Sequence, residues 1–230
     1  MGVRLMEVLS RGTATAASAT AAVRVVAALT AADAKRWDGP RLAIPGGSAV
    51  QAMAAVWTSL PEAVRRRVRM TWVDERCVPA ADPASNHGAG RRAGLVPPDL
   101  EFVQPLWWDG ATPEDVAARM DEVFAGPLAG GLDVVLLGMG EDGHVASLFP
   151  GHDWRSESWV VHVADAPKPP PARVSLSLAA LRLAGQVVLL ATGEGKREAL
   201  TRLLRGELRL PAAHLERLIV VTDLELEGAT

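Results

Sequence analysis

The residues best suited to proton transfer lie in a glycine-rich segment, residues 138–144, which reads GMGEDGH. It contains an imidazole, His144, two positions after the carboxyl group of Asp142. A neutral imidazole accepts a proton near pH 7, and glycine permits sharp turns and close approach of backbone to ligand. The segment therefore indicates a site for acid–base chemistry with His144 as the candidate base. The competing interpretation is an ordinary polar loop.

Two other segments are suited to binding an anion. Gly46, Gly47 and Ser48 precede a predicted helix, where backbone N–H groups and a hydroxyl favour phosphate. Lys196 follows two nearby glycines at the start of another predicted helix. The chain has 21 arginines and three lysines, so a lysine at this position favours a point-charge partner such as phosphate. Solvated surface is the alternative for Lys196.

Arginine and carboxylate groups form two more candidate positions. Asp74 and Arg76 belong to an Asp-Glu-Arg run at the end of a predicted strand, and Arg173 follows a proline-rich segment. The planar guanidinium groups suit phosphate or carboxylate, although pairing with a nearby acid at the surface is the commoner arrangement. The run at Asp74 is either a solvated loop or part of a site.

The predicted elements alternate between strands and helices. The apolar run Val134–Leu137, closed by glycine, is typical of a strand buried on both faces. The alternation predicts an α/β fold with a doubly wound, mostly parallel sheet. The polar clusters then share the carboxyl edge of the sheet, where such folds bind ligands. Predicted strands cover residues 41–44, 68–73, 134–137, 159–163, 186–191 and 218–221, and predicted helices cover residues 13–36, 49–60, 113–124 and 197–205. Residues 165–172, with four prolines, are predicted to form a stiff exposed loop.

Composition restricts the class of protein. The length of 230 residues predicts one α/β domain, residues 1–230, and the net charge of −3 gives no electrostatic signal for nucleic acid. Cys77 is the only cysteine, which excludes an internal disulfide and fits a reducing compartment. No apolar run approaches the roughly 20 residues of a membrane span. His144, His152 and His162 lack the spacing of metal ligands, so no metal site is expected.

Taken in order, these segments resemble the 6-phosphogluconolactonase family. The resemblance covers residues 42 to about 204, and its central motif is long and specific. Two positions depart from the family pattern: Ala49 replaces the usual threonine after Gly-Gly-Ser, and His87 replaces the usual tyrosine after Ser-Asn. The matching segments are Gly46-Gly47-Ser48, residues 74–78 with Ser85-Asn86, residues 138–151, residues 170–173 and residues 192–196.

The resemblance implies a fold, a reaction and a set of site residues. The fold is a Rossmann-like α/β/α sandwich, shared with the glucosamine-6-phosphate deaminases. The reaction is hydrolysis of 6-phospho-D-glucono-1,5-lactone, the second step of the oxidative pentose phosphate pathway, with no cofactor and no metal. His144 is the expected general base, oriented by Asp142 or by Asp74. Arg76, Arg173, Lys196 and the loop at Ser48 are expected to hold the 6-phosphate and the ring hydroxyls.

Other properties follow as expectations. The oxyanion donors are backbone N–H groups near Gly46 and Gly47 or near Gly140. We expect a cytoplasmic enzyme that is a monomer or a small homo-oligomer, acts on a small sugar-phosphate lactone, and binds neither nucleic acid nor membrane.

Two alternative functions remain open. One is an aldose–ketose isomerase and deaminase acting on glucosamine 6-phosphate, but Phe149 stands where those enzymes have a glutamate. The other is a non-catalytic sugar-phosphate sensor, which needs an attached DNA-binding module that the sequence does not show.

Overall fold

A sheet of seven parallel strands forms the centre of the computed structural model, which describes residues 5–154 and 156–226. A second, antiparallel sheet of three strands stands beside it. In chain order the strands are β1 Leu5–Ser10, β2 Arg41–Ile44, β3 Arg69–Trp72, β4 Asp74–Arg76, β5 Phe102–Gln104, β6 Val134–Leu137, β7 Val160–Val163, β8 Arg173–Leu176, β9 Gln186–Leu190 and β10 Arg217–Thr222.

Helices flank the large sheet, as the alternating pattern predicts. Three short 3-10 helices also occur, at Ser48–Gln51, Glu194–Lys196 and Pro211–His214. The α-helices are α1 Ala14–Asp33, α2 Ala52–Ser59, α3 Glu62–Arg67, α4 Asn86–Arg92, α5 Pro113–Ala125, α6 Leu178–Arg182 and α7 Arg197–Leu204.

The strand order of the large sheet decides where a ligand can bind. The order is β1-β10-β9-β6-β2-β3-β5, and every pairing is parallel. From β2 the chain moves outward through β3 to β5, then returns to β6 on the other side of β2. The order therefore reverses between β2 and β6, and ligands bind beyond the carboxyl ends of strands at such a reversal. This sheet confirms the predicted fold class.

The central strands are buried on both faces. All four residues of β2 and all four of β6 are buried, and β6 accordingly reads as a continuous apolar run in the sequence. One continuous hydrophobic core includes residues of both sheets. The organisation of residues 1–230 as one domain stays a prediction.

The second sheet lies outside the predicted parallel sheet and includes β7, which covers most of the predicted strand at residues 159–163. Its order is β4-β8-β7, and both pairings are antiparallel. Only residues 164–172 connect β7 to β8. A parallel connection needs a crossover of about a dozen residues or more, so this shorter link returns the chain in the opposite direction. The Asp-Glu-Arg run at residues 74–76 is strand β4 of this sheet rather than a loop.

Helix α1 corrects the statement that no apolar segment reaches membrane-spanning length. Its 20 residues are long and apolar enough to cross a membrane by length and composition alone. Core helices of soluble proteins pass the same test. Here α1 packs one face, which includes Ala17, Ala21 and Val25, against α2 and against β9 and β10.

Candidate active site

A pocket of about 330 Å³ opens at the carboxyl edge of the large sheet. The chain segments that follow β2, β6 and β9, three adjacent strands, line it together with β4. The predicted convergence of the four polar clusters is therefore present in the structure. Of the predicted site residues, the ones that line the pocket are Gly46, Gly47, Ser48, Asp74, Arg76, His144, Arg173 and Lys196.

Asp142, the remaining predicted site residue, lies behind His144. Its Oδ1 is 2.6 Å from Nδ1 of His144 and also accepts a hydrogen bond from the His144 backbone N–H at 3.2 Å. Burial acts to raise the pKa of Asp142, but the charge of His144 and its hydrogen bonds outweigh burial and hold this pKa below its usual value. The ionised carboxylate can only accept, so the proton lies on Nδ1 of His144. Nε2 then carries the lone pair.

The local backbone is shaped around the His144 ring. A Cβ on Gly140 would lie 2.2 Å from Nδ1 of His144 and 2.4 Å from Oδ1 of Asp142, so only glycine leaves room for this pair. Gly143 has φ +91°, and a Cβ there would lie 2.5 Å from Cδ2 of Leu210. On another side the ring of Phe149, which is buried, lies with its centroid 4.6 Å from that of His144. The glycines and Phe149 therefore hold the imidazole in place.

Asp74 makes different contacts from those predicted. Its Oδ2 accepts a 2.6 Å hydrogen bond from the Ser147 hydroxyl, and its Oδ1 lies 3.3 Å from Nδ2 of Asn86. The His144 ring donates its Nδ1–H to Asp142 instead. Asp74 is 6% exposed and lines the pocket, so it presents a nearly buried carboxylate to any bound ligand. Sequence spacing could not distinguish these two acids.

Glu75, the neighbour of Asp74, fixes the start of helix α4. Its carboxylate accepts hydrogen bonds from the backbone N–H groups of Arg76, Asn86 and His87, each at 2.7 Å, and from the Ser85 hydroxyl at 3.1 Å. Burial raises the pKa of Glu75, against the lowering effect of the backbone hydrogen bonds. Glu75 thereby ties β4 to the loop that carries Asn86 into the pocket wall.

Basic side chains line the pocket from several directions. Nη1 of Arg76 donates to the carbonyl of Ala84 at 2.5 Å, and its buried Nε has no hydrogen-bond partner within the described ranges 5–154 and 156–226. Lys196 ends the 3-10 helix Glu194–Lys196 and leads into α7, as its predicted position before a helix requires. Ser48 is the first residue of the 3-10 helix Ser48–Gln51. The predicted α-helix begins four residues after Ser48, as α2.

Arg173 differs from Arg76 because two of its nitrogens, rather than one, donate to protein carbonyls. Its Nη2 donates to the carbonyl of Lys168 at 2.7 Å, and its Nε donates to the carbonyl of Pro170 at 3.2 Å. The guanidinium carbon lies 5.7 Å from the centroid of the Phe149 ring. Burial, and then the charge of Arg76, lower the pKa of Arg173. The side chain is 5% exposed and forms the pocket wall rather than an open binding group.

Several pocket residues were not predicted from the sequence. Phe149 and Asn86 belong to recognised motifs, but their positions against His144 and Asp74 depend on contacts between distant segments. Lys168 lies in residues 165–172, which the sequence indicated only as an exposed loop. Its residue type was the available signal, since lysine is scarce in this chain. Within the described residues, no group of three or more His, Cys, Asp or Glu side chains could hold a metal ion.

A doubly wound α/β sheet with a histidine–aspartate pair and basic groups at its carboxyl edge defines a class of small-molecule enzyme folds. The sequence places the chain within that class. Residues 12–221 match the family described as glucosamine-6-phosphate isomerases/6-phosphogluconolactonase, and the chain belongs to this family.

Individual relatives give a narrower comparison. The 6-phosphogluconolactonase of Rattus norvegicus is 37% identical over 187 residues, which cover 76% of this chain and 73% of the relative. That of Mycobacterium tuberculosis is 34% identical over 210 residues, 85% of each chain. The solved structure of 6-phosphogluconolactonase from Trypanosoma brucei superposes with a TM-score of 0.75 at 26% identity, covering 95% of this chain and 96% of that one.

Proposed function

We propose that this protein hydrolyses 6-phospho-D-glucono-1,5-lactone to 6-phospho-D-gluconate in the oxidative pentose phosphate pathway. The observation that carries the proposal is the His144–Asp142 pair in a pocket lined by basic side chains. The 6-phosphogluconolactonase relatives support it. We further propose a cytoplasmic enzyme that is a monomer or small homo-oligomer and acts without nucleic acid or membrane.

The reaction needs one base and one route for the proton. Nε2 of His144 removes a proton from water as the water oxygen attacks the lactone carbonyl carbon. Asp142 stabilises the imidazolium that forms. When the tetrahedral intermediate collapses, the bond from C1 to the ring oxygen breaks, and His144 returns the proton to that oxygen. Backbone N–H groups of the loops at Gly46, Gly47 or Gly140 are the candidate oxyanion donors.

The basic residues provide substrate alignment rather than chemistry. Arg76, Lys196 and the Ser48 loop are the proposed contacts for the 6-phosphate and the sugar hydroxyls. Holding the lactone at fixed distance from His144 converts binding energy into a lower activation barrier. Asp74, with its carboxylate tied to Ser147, is a proposed acceptor for a ring hydroxyl.

The test of this function compares two substrates under the same conditions. We expect hydrolysis of freshly generated 6-phosphogluconolactone far above its spontaneous rate, and no ammonia from glucosamine 6-phosphate. The aromatic ring of Phe149 beside His144 cannot accept a proton, whereas the deaminase reaction needs an acid at that position. Stoichiometric ammonia with fructose 6-phosphate would reverse the assignment. Lactone loss at the spontaneous rate would refute the lactonase proposal.

Lys196 gives a prediction about phosphate. Lys196→Ala removes an ammonium from the pocket, and we expect 6-phosphogluconate to bind about 10- to 100-fold more weakly, the range for a lost charge-assisted hydrogen bond. Calorimetry with 6-phosphogluconate and with gluconate measures the effect. Gluconate lacks the phosphate, so its affinity should change little. Equal weakening for both ligands would remove Lys196 from the phosphate site.

A further inference from the structure

We propose that Lys168 is an additional phosphate-binding residue of this pocket and that Arg173 acts by positioning it. The proposal rests on the proposed function, because the phosphate is the only charged group of the lactone substrate. Lys168 was not predicted as a site residue from the sequence. Arg173 was predicted to contact the substrate and is given a positioning role instead.

The distribution of lysines supports a selected role for Lys168. The chain has three lysines, and two of them, Lys168 and Lys196, line the pocket. Of the 21 arginines, Arg76 and Arg173 line it. The third lysine, Lys35, is exposed and lies outside the pocket lining. A sequence that uses arginine for most of its cations therefore places two of its three compact ammonium groups at one site.

Lys168 is carried by residues 165–172, which we call the proline strap. A proline precedes Lys168 and three prolines follow it. Each proline ring fixes its own φ and restricts the residue before it, so the backbone on both sides of Lys168 has few conformations to lose. The strap is further closed by a 3.0 Å hydrogen bond from the Ala166 N–H to the Pro171 carbonyl. This stiffness holds the lysine at the pocket wall before substrate arrives.

Arg173 fastens the proline strap to the rest of the site. Its two hydrogen bonds reach the carbonyls of Lys168 and Pro170, on either side of Pro169. Its guanidinium rests over Phe149, whose ring also contacts the imidazole of His144. One side chain therefore links the backbone of Lys168 to the residue that packs on the base. With two donor nitrogens committed to the strap, Arg173 serves as a positioning residue.

The ammonium of Lys168 is available for a ligand. Three carboxylates near the base and on β4 have other partners: Asp142 bonds to His144, Asp74 to Ser147, and Glu75 to the start of α4. Lys168 forms no ion pair with the residues that the structure describes. An ammonium offers three donors and no acceptor, which suits a phosphate dianion.

The experiment uses a variant that keeps the bulk of the side chain and removes its charge. Lys168→Met should lower kcat/KM for 6-phosphogluconolactone by about 10- to 100-fold and leave the low rate on unphosphorylated gluconolactone unchanged. The matched control, Lys35→Met, makes the same chemical change outside the pocket and should alter neither rate. Calorimetry should show weaker binding of 6-phosphogluconate to Lys168→Met and no change for gluconate.

A second variant tests the positioning role. Arg173→Lys keeps the charge but cannot reach two carbonyls at once, so it should lose phosphate discrimination as Lys168→Met does. The double variant should then lose little more than either single one, since both changes remove the same interaction. Full additivity would overturn the positioning role of Arg173.

The outcomes separate this inference from the proposed function. If the wild-type protein hydrolyses the phosphorylated lactone and Lys168→Met keeps its full rate, the Lys168 proposal fails and the function stands. An equal loss on both lactones also overturns it, because Lys168 would then act at the reacting end. A wild-type protein without lactonase activity refutes the function, and binding of 6-phosphogluconate then decides the role of Lys168 independently.

Discussion

His144→Ala should lower the turnover of 6-phosphogluconolactone by roughly 10²- to 10⁴-fold, the range for loss of a general base. Nε2 is the lone-pair nitrogen that the bond to Asp142 leaves on the imidazole. Alanine offers no group that could take the proton from water. Substrate binding should change far less than turnover, because the proposed phosphate contacts lie on other segments. Steady-state kinetics, corrected for spontaneous hydrolysis, measures both quantities.

A second histidine provides the control for packing. His152 also contacts Phe149, at 5.6 Å between ring centroids, but it lies outside the pocket lining. His152→Ala removes an imidazole from the same aromatic ring and should keep turnover close to normal. Added imidazole should partly restore activity to His144→Ala by filling the space of the missing ring. Near-normal turnover in a folded His144→Ala protein would exclude His144 as the base.

The central strands of the large sheet were predictable because they are buried on both faces. Strand β6 reads as an unbroken apolar run, β2 is apolar after Arg41, and a glycine lies within two residues of the end of each at the carboxyl edge. The segments after adjacent strands must meet, so the convergence of Ser48, His144 and Lys196 follows from topology alone. That argument does not depend on side-chain positions, which is why it held.

Apart from β7, the small sheet was not predictable from the same signals, and neither were β1, β5 and α6. Strand β4 reads Asp-Glu-Arg and has no apolar pattern. Its buried Glu75 is stabilised by hydrogen bonds to another segment of the chain. Strand β5 has three residues, and α6 has five, too short for periodicity to register. Strand β1 lies at the edge of the large sheet, and its pairing with β10 spans almost the whole chain.

The roles of the site residues were also predictable only where their contacts are local in the sequence. Asp142 was a candidate because it is two residues from His144, although spacing alone did not decide between it and Asp74. Asp74 and Arg173 were assigned by residue type, and their partners are set by tertiary contacts: Ser147 is 73 positions away from Asp74. A guanidinium that suits phosphate equally suits backbone carbonyls, and only the structure shows that Arg173 bonds to the proline strap.

We predict that Asp142 performs two separable tasks, which two substitutions distinguish. Its Oδ1 accepts both the backbone N–H and Nδ1 of His144, at 3.2 Å and 2.6 Å. In Asp142→Asn the backbone N–H can only donate, so the amide oxygen should remain at this position and keep the proton on Nδ1. The substitution then removes only the negative charge that stabilises the imidazolium. Asp142→Ala removes the charge and the acceptor together.

We therefore expect graded losses, with turnover falling roughly 10-fold for Asp142→Asn and roughly 100-fold for Asp142→Ala, the range for loss of a partner that orients a site residue. KM should change little in either variant, because Asp142 lies behind His144 and outside the pocket lining. Stopped assays on fresh lactone, with thermal unfolding as a check on folding, measure both effects. Equal losses in the two variants would contradict separate tasks, since they would mean that charge alone accounts for the role of Asp142. An unchanged turnover in Asp142→Ala would mean that Phe149 and the glycine-rich backbone suffice to orient the base.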